Sequence, residues 1–75
     1  MSPGNLVYHK EDVRDSREIP GLVVRVSEGF AGLEAIVHFT DRSFAEKHEI
    51  EQLIKVETHE YNKTLKLLEE INDYR

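Results

Sequence analysis

The side chains of this sequence best suited to chemistry are its four histidines, which are His9, His38, His48 and His59. Their spacing matches none of the usual zinc patterns, and the chain has no cysteine to supply a thiolate ligand. We expect His38 and His48 on adjoining strands, where two exposed histidines are more often solvated than bound to metal. The sequence therefore predicts no metal site and no cofactor.

Nucleophilic catalysis would need an activated hydroxyl or amine beside a base and an oxyanion site. The serines lie in expected turns or near the N-terminus, outside any nucleophile-elbow motif. No carboxylate lies in an apolar run that would raise its pKa for acid–base work. A domain this small also leaves little room for a deep pocket. We therefore expect no enzymatic activity and no catalytic residue.

The charge balance is acidic, with 10 Lys and Arg against 15 Asp and Glu and a formal net charge of −5. No basic block interrupts it, which disfavours an unspecific duplex binder. No apolar run approaches the roughly 20 residues of a membrane span. The first residues lack the basic and apolar stretches of a secretion signal. We therefore expect a cytoplasmic protein with no membrane partner, in keeping with the absence of cysteine.

Residues 1–58 have the pattern of strands and turns, and residues 59–75 that of a helix, within a single domain. Strands are predicted at 5–9, 22–26, 34–40, 43–48 and 54–56, with a helical turn at 49–53. The segment 10–21 is predicted to be a long charged loop. Alternation of apolar and polar residues sets the expected interior. Its members are Val7, Val24, Val26, Val37 and Phe39.

Tyr61, Leu65, Leu68 and Ile71 recur at helical spacing and form one apolar stripe. Thr58 is the expected N-cap of this helix. Lys66 lies four residues before Glu70, so a weak ion pair is expected between them. Two alternatives remain for the stripe. It packs on the rest of its own chain and completes a small core, or Leu65, Leu68 and Ile71 form an interface with a second chain, as in a homodimer.

Four groups of residues follow one another in a familiar order. They are Gly4, Val7 and His9; then Pro20, Gly21, Val23 and Val26; then Ala35, Val37, Phe39 and Asp41; and then Ile50, Leu53 and Val56. This order resembles the SH3-like barrel proteins of the Tudor and KOW kind, over residues 4–57. The resemblance implies a mostly β fold, a five-stranded SH3-like barrel with one helical turn before the last strand. The C-terminal helix is an addition to it. Small free-standing members are common in bacteria and phages, so a phage-encoded protein is one expectation.

Members of such families bind peptides, methylated side chains, RNA, ribosomes or RNA polymerase, and the fold alone does not choose among these. Our first expectation is a protein-binding adaptor or regulator that uses the charged segment 10–21 and the exposed faces beside it. The residues expected to bind the partner are Tyr8, Lys10, Asp12, Arg14, Arg17, Phe30 and His38. An aromatic cage for a methylated cation would need Tyr8, Phe30, Phe39 and Phe44 to converge. Core packing is the more common role of such rings.

Two alternatives belong to other classes. The first is a KOW-like contact to nucleic acid, a ribosome or RNA polymerase, in which arginines neutralise phosphates. The residues expected to serve it are Arg14, Arg17, Arg25 and Arg42. The second is a structural role in a virion or another assembly. Binding that weakens with salt would favour the nucleic-acid alternative, and salt-tolerant capture of a protein would favour the adaptor.

Overall fold

The computed structural model describes the backbone of residues 1–72 and the side chains of residues 1–71. Its five strands are β1 (Leu6–His9), β2 (Gly21–Gly29), β3 (Gly32–Phe39), β4 (Glu46–Glu49) and β5 (Leu53–Lys55). The helices are α1 (Lys10–Arg14) and α2 (Val56–Asn72), and a 3-10 turn at Ile50–Gln52 precedes β5. The last three positions of the predicted C-terminal helix lie outside the described residues.

All five strands belong to one antiparallel sheet in the order β4-β3-β2-β1-β5. The expected mostly β fold with a C-terminal helix is confirmed, as is the helical turn before the last strand. Within the described residues, the two edge strands β4 and β5 do not pair, so the pairing does not close the sheet into a barrel.

A β-bulge in β2 decides which of its side chains are buried. Val23 pairs with Val37 and Arg25 pairs with Ile36, so Val24 is an extra residue between two regular pairs. Val23 is 1% exposed whereas Val24 is 52% exposed. The prediction that Val24 lies in the interior was therefore wrong, because the extra residue reverses the alternation.

The core lies on one face of the sheet, which we call the inner face. Val7, Val37 and Phe39 are fully buried, as predicted, and Val26 is partly buried against them. Ala35 and Leu53 complete the set together with Val23. Position 21 accepts only glycine in this packing, because a Cβ added there would lie 2.6 Å from Cγ1 of Val37.

Segment 10–21 is not the continuous loop that its charges predict, because it begins with α1. His9 is the N-cap, and its Nδ1 accepts a hydrogen bond from the Glu11 N–H at 3.1 Å. The chain then reverses through Ser16, which has a φ of 63°, and the Arg17 N–H donates to the Asp12 carbonyl at 2.7 Å. The segment is therefore built around local hydrogen bonds.

The hairpins also differ from their predicted bounds. β2 ends at Gly29 and β3 begins at Gly32, so Phe30 and Ala31 alone form the turn between them. β4 begins at Glu46, three residues later than predicted, which leaves Phe44 exposed in the connection from β3.

Helix α2 begins at Val56, directly after β5, and Thr58 lies within its first turn. The prediction of Thr58 as N-cap was therefore wrong. Leu65 is 42% exposed and Leu68 is 51% exposed, and Tyr61 and Ile71 are exposed further. The alternative in which the stripe completes the core is contradicted, because every described side chain from Tyr61 to Ile71 is exposed. Over the described residues, no helix has the length and apolar character needed to cross a membrane.

Candidate functional site

Three apolar side chains lie side by side on the face of the sheet opposite the core, which we call the outer face. Leu6 on β1 is directly opposite Leu22 on β2, and Leu22 is opposite His38 on β3. Val24, the bulged residue, projects from the same face two positions further along β2. Leu6, Leu22 and Val24 are each about half-exposed. Side chains opposite each other on neighbouring strands lie close together, so these three form one surface, the outer-face patch.

Basic groups border this patch. Arg25 is paired with Ile36, and Ile36 is paired with Lys47. Both cations are therefore on the outer face, Arg25 next to Val24 and Lys47 beyond Ile36 on β4. Both are exposed. The next pair along the strands is acidic, Glu34 with Glu49. An apolar centre with a cationic border is suited to an apolar segment of a partner that carries a carboxylate.

Tyr8 lies on the outer face but is not available to a partner. Its ring meets the His59 ring edge-on, with 5.3 Å between the ring centroids, and the side chain is 7% exposed. Because His59 belongs to the first turns of α2, the helix covers this end of the outer face. Tyr8 thus fixes the helix to the sheet, which is a structural role that the sequence did not indicate.

A second contact holds the helix against the segment before β2. Lys63 Nζ donates a hydrogen bond to Glu18, and His59 Nε2 lies 3.4 Å from the same carboxylate. The hydrogen bond from Lys63, and then that from His59, holds the pKa of Glu18 below its ordinary value, and the same bond raises the pKa of Lys63. Glu18 is therefore ionised, and its carboxylate is engaged by side chains of α2.

Glu18, His59 and Glu60 bring their ligand atoms within 4.8 Å of one another, which is the geometry of a candidate metal group. Lys63 is hydrogen-bonded to Glu18 and lies 3.9 Å from Glu60. An ammonium group thus already supplies the positive charge that these carboxylates attract, and the arrangement is an ion-pair cluster.

The residues selected from the sequence in α1 and in the turn after it have different environments. Asp12 is buried and its carboxylate lies 3.2 Å from Arg17 Nη2. Arg17 also lies 3.1 Å from Asp15. Lys10 and Arg14 are exposed. Asp12 and Arg17 therefore stabilise the turn after α1, and Lys10 and Arg14 are the members of this group that can reach a partner.

Phe30 lies at the far end of the hairpin from these residues. β2 separates it from segment 10–20, and nine residues of strand span roughly 26 Å. The expected partner-binding residues are therefore not brought together. An aromatic cage is not assembled either. Phe39 is fully buried with the Arg42 guanidinium 4.9 Å from its ring centroid, while Phe30 and Phe44 are exposed at separate turns.

The predicted neighbours His38 and His48 face opposite sides of the sheet. His38 is on the outer face, where its Nε2–H donates to the Arg42 carbonyl at 2.9 Å. His48 is opposite Ala35 and faces inward, where its ring centroid is 5.0 Å from that of His9. The two histidines lie on adjoining strands as expected, but they do not face each other, because His48 pairs with the inward-facing Ala35 whereas His38 lies three positions from Ala35 along β3.

Two of the four arginines proposed for nucleic acid are engaged within the chain. Arg17 pairs with Asp12 and Asp15. Arg42 pairs with Glu46 and Asp41, and the hydrogen bond to Glu46 raises the pKa of Arg42 and lowers that of Glu46. Arg14 and Arg25 have no ion-pair partner among residues 1–71. These two do not make a continuous basic surface.

The surface grooves offer little enclosure for a small molecule. One of about 400 Å³ is lined by residues of α2 alone, so it has no opposing wall. Another, of about 230 Å³, lies where β1 begins and α2 starts, and it is lined by Leu6, Lys55 and Glu57 among others. Its connection to Leu6 makes it continuous with the outer-face patch.

The outer-face patch is the site that sequence reasoning missed. The alternation in residues 22–26 predicts Val24 and Val26 in the interior, and it does not indicate that Leu6 and Leu22 form a surface with Val24. The cross-strand order of Leu6, Leu22 and His38 depends on strand register, which the sequence alone did not supply. Comparison of the chain with protein-family models, with curated proteins and with solved structures finds no match, so this patch is interpreted from its own geometry.

Proposed function

We propose that this chain is a non-catalytic protein-binding module of the SH3-like barrel kind, acting as an adaptor or regulator through its outer-face patch. The observation that carries the proposal is the row formed by Leu6 and Leu22 with Val24 beside it, exposed on a sheet whose opposite face holds the core. Contiguous apolar surface rimmed by polar groups is typical of protein-interaction sites.

The barrel part of the proposal is supported by a contact across the inner face. His9 on β1 meets His48 on β4, although β2 and β3 lie between these strands in the sheet. The sheet must therefore curve strongly to bring them together. Five strands, strong curvature and a 3-10 turn before the last strand are the features that the resemblance to SH3-like barrels implies.

The border of the patch favours a particular class of partner. Arg25 and Lys47 are exposed beside it, and neither makes an ion pair among residues 1–71. We expect the partner to contribute an apolar segment flanked by Asp or Glu, since rim charges select the partner and speed association. The interior of the patch would supply most of the affinity.

Affinity capture from a bacterial lysate with variants of the immobilised chain tests the proposal. After nuclease treatment and in high salt, the wild type is expected to retain a discrete polypeptide that Leu22→Asp loses. Leu33→Asp, which changes an equally exposed leucine near the distal hairpin turn, is the matched control and should retain it. Loss of the captured material on nuclease treatment would contradict the proposal and favour the nucleic-acid alternative. Equal retention by both variants would show that the outer-face patch is not the binding surface.

A further inference from the structure

A shallow groove lies at the end of the sheet where β3 begins and β4 ends. It has a volume of about 230 Å³ and is lined by residues 31–33 at the start of β3 and by Glu49, Ile50 and Glu51. Leu33 is 53% exposed and Ile50 is partly buried against the core, so both present apolar surface to the groove. The groove thus combines an apolar lining with two exposed carboxylates, and we call it the hairpin groove.

The charges around the hairpin groove are all negative. Residues 26–36 and 49–54 contain Glu28, Glu34, Glu49 and Glu51 and no lysine, arginine or histidine. None of these four carboxylates makes an ion pair with any residue among 1–71. Lys47, two positions before Glu49 on the same face of β4, does not pair with it either. The described part of the chain therefore leaves these charges without a counterion of its own.

Strand register places two of these glutamates side by side. Glu34 on β3 lies directly opposite Glu49 on β4, and like charges in that arrangement destabilise a sheet. The Glu34 carboxylate is turned toward β2, where it lies over Gly29 in the space that a Cβ would fill. It is thereby directed away from Glu49, which remains beside Glu51 in the lining of the groove. A cation from outside the chain would neutralise this excess of negative charge.

A metal ion does not fit this arrangement. Among the described residues, the group whose ligand atoms come close enough together for one is Glu18, His59 and Glu60, far from this groove in the sequence. The carboxylates around the hairpin groove do not converge in that way. An organic cation with several N–H donors can instead reach carboxylates that lie farther apart, and a guanidinium has five such donors in a fixed plane.

We propose that the hairpin groove binds an arginine side chain from a basic segment of a second protein. The methylene groups of that side chain pack on Leu33 and Ile50, and its guanidinium donates hydrogen bonds to Glu49 and Glu51. Phe30 adjoins the groove at the hairpin turn and is fully exposed, so its ring is available to stack on a guanidinium. The carboxylates repel nucleic acid and anionic lipid, which favours a protein as the source of the cation.

The hairpin groove is distinct from the outer-face patch and selects a partner of the opposite charge. The patch has Arg25 and Lys47 at its border and is suited to an acidic segment, whereas the groove is suited to a basic one. A chain with both surfaces can hold two partners at once, which is the arrangement that an adaptor needs. Binding at the groove does not depend on the function proposed for the patch, and it is tested separately.

Titration of the ¹⁵N-labelled full chain with a peptide of four arginines, followed through the amide chemical shifts, tests the proposal. The largest shifts are expected in residues 31–33 and 49–51, and the binding should weaken as salt is added. A peptide of four citrullines keeps the shape of the side chains without their charge, so it should leave these shifts unchanged. Shifts centred on another part of the chain, equal shifts with citrulline, or no shifts at roughly 5 mM arginine peptide would overturn the proposal.

A pair of charge variants separates the groove from the net charge of the chain. Glu49→Gln/Glu51→Gln should weaken binding of the arginine peptide by about tenfold, because it removes both charged contacts. It should melt no lower than the wild type, since it also removes a like-charge pair across the strands. Glu69→Gln/Glu70→Gln is the matched control, with the same change in net charge on exposed carboxylates of α2, where Glu70 does not form the expected ion pair with Lys66. Equal weakening in both variants would overturn the groove as the binding site.

Discussion

The rings of His9 and His48 meet edge-on with 5.0 Å between their centroids, although their strands are separated by two others in the sheet. The ring of Phe39 also meets that of His48 edge-on, with 5.5 Å between the centroids. His9 also caps α1 through Nδ1. His9 thus takes part both in the contact that requires the sheet to curve and in the N-cap of α1.

We expect His48→Ala to destabilise the fold by about 1–2 kcal/mol, because its largely buried ring fills the space between His9 and Phe39. His38→Ala is the matched control. Its ring lies on the outer face and is exposed, so its loss should cost less than about 0.5 kcal/mol. Urea denaturation of both variants measures these free energies. Equal small effects would mean that the two strands do not meet in solution.

The bulge in β2 gives an equally direct comparison between neighbouring valines. Val23→Ala removes two methyl groups from a fully buried site and should cost about 2 kcal/mol. Val24→Ala removes the same atoms from a half-exposed site and should cost less than about 0.5 kcal/mol. Chemical denaturation distinguishes the two. A larger loss for Val24→Ala would show that the strand is regular and that its alternation runs as the sequence predicts.

This bulge marks the limit of what the sequence predicts about the sheet. Alternation placed Val37 and Phe39 in the core correctly because β3 is regular there. It failed for Val24 because the extra residue is a valine, a good strand former that carries no sign of a bulge. The same error concealed the outer-face patch, since the alternation predicts Val24 in the interior.

The helix shows a second limit. Its apolar stripe was visible from spacing, but spacing does not say whether the surface that covers a stripe belongs to the same chain. Its start was wrong by three residues because β5 continues directly into α2 with no intervening turn, and Thr58 is then helical. The ion-pair cluster of Glu18 with His59 and Lys63 joins residues more than 40 positions apart, which no local pattern indicates.

Asp12 and Asp15 both pair with Arg17, but their surroundings differ. The Asp12 side chain is almost buried and that of Asp15 is mostly exposed. We expect Asp12→Ala to lower the free energy of unfolding by about 1–2 kcal/mol, since it removes an ion pair whose carboxylate is almost buried. Asp15→Ala should cost less than about 0.5 kcal/mol, as exposed ion pairs contribute little. Thermal or urea unfolding provides the measurement, and the opposite ranking would contradict the turn geometry after α1.

The contact of Glu18 with Lys63 should make the docking of α2 depend on pH at both extremes. The pKa of Glu18 is lowered from 4.5, so its stabilisation is present above pH 4.5 and is lost as the pH falls through the folded-state value. The pKa of Lys63 is raised from 10.5, so its stabilisation is present below pH 10.5 and is lost as the pH rises through the folded-state value.

Glu18→Gln should therefore lower the melting temperature at neutral pH by a small amount, and this difference from the wild type should shrink below about pH 4.5 and above about pH 10.5. Both side chains are partly exposed, so added salt should reduce the difference as well. Glu51→Gln, in the 3-10 turn and without an ion-pair partner among residues 1–71, is the control and should follow the wild type at every pH. A difference for Glu18→Gln that stays the same down to pH 3 would show that the carboxylate does not hold the helix through its charge.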